Sequence, residues 1–196
     1  MSVPIIKEGL EYTIYRRIPI LAEAKGIKLN GFDDMDATAF NNKMLSVGMF
    51  DYKGTKNGKT YYIIMMTKDS RYIKKAELNK LINNEHADFY IIIFTTNITV
   101  SVDDKTKRVL FVNGVKSMIR NYIEYLKNMQ ISTRVLTDEE KSHYMHMYKF
   151  TEKNLPKIKE NSIEVLYSSA ERGDVVEIIH PTMTMSKMTG TIRLVI

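Results

Sequence analysis

The residues of this chain with the strongest chemical implication are four acid-x-Lys triplets, which begin at Glu23, Asp51, Asp103 and Glu139. A nuclease of the restriction type needs two carboxylates and a lysine around a metal ion that positions water for attack on phosphate. A chain that is 27% charged produces such triplets by chance, and no Pro-Asp pair occurs anywhere in it. Glu139, His143 and His146 recur every three or four positions, the spacing that places metal ligands on one helix face. Three such residues on a polar face are ordinarily solvated, and zinc needs a further ligand or a supported water. Asp33, Asp34 and Asp36 precede a helical pattern, where early carboxylates cap an N-terminus more readily than they hold a cation. His180 stands beside Pro181 and reads as a turn residue. With no cysteine there is no thiolate nucleophile, thiolate zinc site or disulfide, and Gly54, Gly58 and Gly114 fall in isolated turns rather than in a phosphate loop. These residues point to a chain with no catalytic residue, no metal site and no cofactor.

The elements around them follow from periodicity. Leu10, Ile14, Ile18 and Leu21 are spaced as one helical stripe from Ile5 to Lys25, which Pro19 must kink or divide and Gly26 can stop. Met35, Ala39, Phe40, Met44 and Leu45 mark a second helix. Phe50–Tyr52 and Tyr61–Met66 read as strands, joined by a basic turn containing Lys53, Lys56 and Lys59 that is a candidate phosphate contact. A helix from Arg71 to Asn83 leads to Phe89–Phe94, a continuous apolar run suited to a strand buried on both faces. Ile98–Val112 is ambiguous between strand and short helix. Val115, Met118, Ile119, Tyr122, Ile123 and Leu126 describe one amphipathic helix. The pattern suits an α/β sandwich, with a boundary near residues 129–135 and a second, smaller part beyond it.

The chain has 196 residues and is 44% apolar, enough for a real core. No apolar run approaches the roughly 20 residues needed to cross a bilayer, and charges within Met1–Ala24 argue against a signal peptide, so neither membrane insertion nor secretion is expected. Residues 1–129 hold 20 Lys and Arg against 14 Asp and Glu, while residues 130–196 hold 9 of each. A cationic part joined to a neutral one suggests that the first meets a polyanion and the second meets protein. Met183, Met185 and Met188 are candidates for such a protein contact.

The last third carries an ordered set of motifs: Leu136-Thr137-Asp138-Glu139-Glu140, Leu155-Pro156-Lys157-Ile158, Glu171-Arg172-Gly173-Asp174-Val175, His180-Pro181-Thr182-Met183-Thr184 and a terminal strand Thr191–Ile196 containing Arg193. Thr137 followed by Glu140 is a capping box that opens a helix. This set resembles the C-terminal domain of eukaryotic RNA polymerase subunit 5 and of its archaeal counterpart. The resemblance departs at Asn161-Ser162, where the family usually has Asp-Pro, and at His180, where it has Arg.

The resemblance implies an N-terminal α/β jaw-like domain of nuclease-like topology, residues 1–129, and a small C-terminal α+β assembly domain with a short sheet, residues 130–196. It implies a non-catalytic subunit of a multisubunit DNA-directed RNA polymerase, with the largest subunit, other polymerase subunits and downstream duplex DNA as partners, and without membrane attachment or self-association. Lys53, Lys56, Lys59, Lys68, Arg71, Lys74 and Lys75 become the DNA-proximal candidates. Leu155, Pro156, Ile158, Arg172, Gly173, Val175, His180, Thr182, Thr184 and Arg193 become the subunit-assembly candidates. The expected location is intracellular: the nucleus of a eukaryotic cell, or host cytoplasm or virion if the source is a large DNA virus. A stand-alone metal-dependent nuclease and a nucleic-acid-binding adaptor are the alternatives.

Overall fold

A computed structural model describes residues 9–47, 49–66, 79, 82, 86–95, 108–181 and 188–196. The chain divides into two compact units: residues 1–23 with 27–120, and residues 24–26 with 121–196.

The first unit opens with α1 (Leu10–Arg16) and α2 (Ile18–Ala24). The expected stripe is divided at Arg17, two residues ahead of Pro19. Pro19 has no N–H to donate and its ring would strike the carbonyl four residues back, so it is tolerated only in the first turn of a new helix. Gly26, at φ 72°, ends α2, and Ile27 N–H returns to the Ala22 carbonyl in a Schellman closure. After β1 (Lys28–Leu29), α3 (Ala37–Val47) leads into a hairpin of β2 (Met49–Lys56) and β3 (Lys59–Met66). Asp36 Oδ1 accepts the Ala39 N–H at 2.7 Å, Asp34 pairs with Arg16, and Asp33 pairs with Lys43 at 3.2 Å.

β4 (Phe89–Phe94) and β5 (Arg108–Asn113) complete a sheet of order β1-β2-β3-β4-β5, antiparallel through β3 and parallel from β3 to β5. The ambiguous segment thus ends as a strand from Arg108 onward. Tyr62, Ile64, Tyr90, Ile92 and Phe94 share one face in a cluster that includes Ile82. The opposite face receives the aromatic group around Tyr15, which lies against Phe32, Phe40, Phe50 and Tyr52 at centroid separations of 4.9–6.5 Å. Apolar cover on both faces is what makes Phe89–Phe94 read as an unbroken hydrophobic run.

The single helix expected over 115–126 is two helices, α4 (Gly114–Ser117) and α5 (Tyr122–Asn128). Each has its own asparagine cap: Asn113 accepts the Lys116 N–H, and Asn121 accepts the Glu124 N–H. A capping side chain in mid-pattern competes with helix continuation and restarts the backbone. The second compact unit begins at this restart.

Its sheet has the order β6-β8-β9-β7, from β6 (Ser132–Val135), β7 (Lys157–Ile158), β8 (Val175–Pro181) and β9 (Met188–Val195). β8 pairs antiparallel with both β6 and β9, and β7 joins β9 in parallel. α6 (Asp138–Tyr148) carries Tyr144 into a cluster with Leu136, Leu155, Val175 and Phe150. Val165, in α7 (Ile163–Leu166), packs with Ala170, Val176, Ile178 and Val195 in a separate cluster. Val175 and Val176 are neighbours on a strand and so point to opposite faces; the sheet is buttressed on both sides.

The expected helix over Arg71–Asn83 lies outside the described residues apart from Asn79 and Ile82, and Lys68, Arg71, Lys74, Lys75, Thr182 and Thr184 lie outside them entirely. Among the described residues no helix is long and apolar enough to cross a membrane.

Candidate interaction surfaces

The basic segment expected as a turn is mostly strand. Only Asn57 and Gly58 form the turn, both with positive φ (52° and 75°), as a two-residue type I′ hairpin requires. Lys56 and Lys59 are directly opposite each other across the hairpin, whereas Lys53 is opposite Tyr62. Strand alternation therefore puts Lys56 and Lys59 on one face and Lys53 on the other. The Lys59 ammonium lies 5.2 Å from the Phe89 ring centroid, and Phe89 stacks on Tyr61. The Lys53 ammonium lies 5.6 Å from the Tyr62 ring centroid, and the Tyr62 hydroxyl donates to Asp51 Oδ2 at 2.7 Å. Aromatic surface under each ammonium restricts where its charge can point.

The acid-x-Lys triplets are dispersed into separate roles. Asp51 receives the Tyr62 hydroxyl, Lys141 pairs with Glu152, and Lys25 is buried against the Val165 and Ala170 carbonyls of its own compact unit; Asp103 lies outside the described residues. Among the described residues no three His, Asp or Glu side chains gather as metal ligands, and Glu139, His143 and His146 are exposed on α6. The first unit also has an open cleft of about 620 Å³ lined by Tyr12, Arg16, Arg17, Ile20 and Asp34 among others. Nothing in the sequence patterns marked this cleft, because its walls come from two helices and a turn that meet only after folding.

The assembly candidates of the second unit fall into two groups. Leu155 and Val175 are buried together, and Ile158 packs at the edge of the other cluster. Gly173, at φ 98°, makes the turn into β8 and donates its N–H to the Val195 carbonyl at 2.9 Å. The Pro156 carbonyl accepts the Leu194 N–H at 2.9 Å while its ring is exposed. Pro156 and Arg172 are exposed, and His180 and Arg193 are half-buried, so these four are the candidates whose side chains can reach a partner.

Sequence reasoning missed Arg134, which ties the unit together. Its Nη1 meets Glu140 Oε1 at 2.6 Å and its Nε meets Glu177 Oε2 at 2.8 Å, so one guanidinium joins β6, β8 and α6. Glu140 also closes the capping box, accepting the Thr137 N–H while Thr137 Oγ1 accepts the Glu140 N–H. The Thr137 amide and then the Arg134 guanidinium hold the Glu140 carboxyl below its ordinary pKa. A group whose folded-state pKa is depressed contributes its stability above the unfolded pKa and loses it as pH falls through the folded one. Acid titration of the second unit is therefore expected to weaken α6 below about pH 4.3, the ordinary glutamate value, and Glu140→Gln is expected to flatten that loss; an unchanged acid limb by far-UV circular dichroism in Glu140→Gln would count against the assignment. Thr137→Ala, which removes the other half of the box, is expected to cost about 1 kcal/mol in a denaturant melt.

Sequence reasoning also missed an aromatic ladder on α6. Tyr144 stacks on Tyr148 and Tyr148 on Phe150, at 6.1 and 6.4 Å, with Tyr148 61% and Met147 52% exposed beside them. The i,i+4 spacing of the two tyrosines on a helix was the available signal.

No curated protein matches the chain. Residues 126–195 match the family described as RNA polymerase Rpb5, C-terminal domain. The match runs from the second half of α5 to the end of β9 and takes in every strand of the second sheet together with α6 and α7. Residues 126–195, most of the C-terminal unit, thus carry the pattern of the Rpb5 C-terminal domain.

Proposed function

We propose that the chain is a non-catalytic subunit of a multisubunit DNA-directed RNA polymerase, in which the C-terminal unit docks on the largest subunit and the N-terminal unit, jaw-like in role, flanks downstream duplex DNA. The match of residues 126–195 to the Rpb5 C-terminal domain carries this reading. The charge division supports it, since the whole net excess of +6 resides in residues 1–129. Pro156, Arg172, His180 and Arg193 supply the contacts on the assembly side, held in place by the buried Leu155 and Val175. Such a subunit works inside the cell, in the nucleus for a eukaryotic source and in host cytoplasm or virion for a viral one.

Affinity purification of the chain from its native cells at moderate salt, with quantitative mass spectrometry, is expected to recover two very large catalytic subunits in stoichiometric amount. Recovery of the chain alone, or with unrelated proteins, would sink the proposal. The DNA role has its own test. Lys56 and Lys59 share a face, so Lys56→Gln with Lys59→Gln is expected to reduce the slope of log affinity against log salt by about 2 for downstream duplex, with Lys53→Gln, on the other face, giving about 1 or less. An unchanged slope in both variants would remove the hairpin from the DNA path.

A further inference from the structure

No side chain of α6 is buried, and its last turn presents Met147 and Tyr148, 52% and 61% exposed. Single apolar residues on a surface are ordinary, but adjacent large ones at a helix end gain nothing for the fold and mark a contact surface. The next residue, Lys149, holds the left-handed conformation at φ 52° and ψ 40°. Glycine is the common choice at that point of a helix end, because a Cβ is strained there. Met147, Tyr148 and Lys149 are thus three consecutive departures from what stability alone favours.

The three departures build one platform. Tyr144 and Phe150 each pack against the cluster of Leu136, Leu155 and Val175, whereas Tyr148 stacks on both of them from outside it. The Tyr148 ring is 12° from parallel with Tyr144 and 8° from parallel with Phe150, and the left-handed turn at Lys149 is what brings Phe150 back to it. With both outer rings anchored on the core, the middle ring is held in position before anything binds, which lowers the entropy cost of a contact. The surroundings are cationic. Residues 141–159 hold five lysines and one acid, Glu152, and Lys141 takes up that acid in an ion pair. Lys149 and Lys153, which flank Phe150 in sequence, are exposed.

We propose that this end of α6 is a docking surface for a short linear segment of another protein, rich in Asp and Glu and carrying a large apolar side chain that seats against Tyr148 and Met147 while its carboxylates face Lys149 and Lys153. Charge selects this occupant. The lysines attract an acidic segment and oppose a second copy of the chain, whose own Lys149 and Lys153 would be brought against them. Size selects a segment over a folded partner. One tyrosine and one methionine, each more than half exposed, with the edges of two further rings, offer on the order of 300 Å², against the roughly 800 Å² that each partner buries in a stable interface between folded proteins. A linear segment needs only one or two apolar anchors of this kind with a polar rim around them. The proposal goes beyond the polymerase reading and does not depend on it, since it concerns the chain by itself.

Display selection of random peptides of about 12 residues on the full chain, with counter-selection on Tyr148→Ala, tests it. Selected sequences are expected to carry an excess of Asp and Glu around a Leu, Phe or Trp. The same peptides, synthesised and titrated by fluorescence anisotropy, are expected to lose affinity about tenfold or more on Tyr148→Ala and about twofold to fivefold on Lys149→Asn with Lys153→Gln. Asparagine at 149 tolerates the left-handed turn, so that variant removes charge and keeps the ladder. Selection of basic or uncharged sequences, or of none that Tyr148→Ala weakens, would overturn the proposal. So would sedimentation of the parent chain as a dimer that Tyr148→Ala dissociates, which would give the surface to a second copy. Should Tyr148→Ala fail to fold, Met147→Glu takes its place in both steps, because it sets a negative charge on the same turn and leaves all three rings: a loss of about tenfold supports the proposal, and unchanged affinity overturns it.

Discussion

Leu155→Ala is expected to lower the stability of the C-terminal unit by about 2–5 kcal/mol, the range for deleting a buried leucine from a packed cluster. Leu155 is buried against Leu136 and Val175, with Tyr144, Phe150, Ile192 and Leu194 around them, so its side chain links α6 to β8 and β9. Truncation leaves a void that the sheet cannot close, because its strands are tied by ladder bonds on both sides of β8 and β9. Neighbouring Pro156 is exposed and contributes to the fold through its carbonyl, which any residue would supply. Pro156→Ala is accordingly expected to leave the denaturant midpoint of the unit within a few tenths of a kcal/mol. A chemical melt followed by near-UV circular dichroism separates the two. Equal loss in both variants would show that the Leu-Pro motif acts as a single rigid turn. Under the proposed function the two variants also part in assembly: Leu155→Ala loses polymerase association through unfolding, Pro156→Ala through contact alone.

Tyr15→Ala is expected to destabilise the N-terminal unit by about 3–5 kcal/mol. Tyr15 is fully buried, its ring lies among those of Tyr12, Phe32, Phe40, Phe50 and Tyr52, and its hydroxyl accepts the Met35 N–H at 3.3 Å. One side chain thus joins α1, α3, β2 and the turn ahead of α3. Tyr52, on the same cluster, makes the opposite expectation. Its hydroxyl is buried with no hydrogen bond of normal geometry, and burial, followed by the charge and the close polar contact of the Tyr15 hydroxyl and then by Asp33 and Asp51, pushes its pKa upward, well beyond the ordinary tyrosine value. Removing an unsatisfied buried hydroxyl relieves a desolvation cost, so Tyr52→Phe is expected to leave stability unchanged or raise it by about 1 kcal/mol. A destabilisation of more than about 1 kcal/mol in Tyr52→Phe would mean that the hydroxyl has a partner in solution.

Local rules carried far into this chain wherever one residue and its near neighbours decide the outcome. The Thr137 and Glu140 capping box, the stop at Gly26 and the turn at Gly173 were readable, because a cap and a positive φ are properties of a few consecutive side chains. The motifs from Leu136 to Arg193 named the family of the C-terminal unit in the same way, through ordered local signatures. Where the sequence misled, two local preferences competed: the stripe over Val115–Leu126 was periodic, yet Asn121 offered a cap in its middle and the backbone took it. β6 escaped notice because Ser132–Val135 is short, polar and at a sheet edge, with only its register against β8 to define it.

Tertiary structure alone decided the rest. Which lysines of the hairpin share a face depends on where the turn falls: a two-residue turn sets Lys56 against Lys59 and sends Lys53 to the other side. Arg134 became a three-way tie because β6 and α6 bring Glu177 and Glu140 to the same guanidinium from 43 and 6 residues away. Lys25 met the Val165 carbonyl only when the chain returned to it after 140 residues. Pairings at such separations leave no trace in local periodicity, since they depend on closing a loop whose entropy only the assembled core can offset.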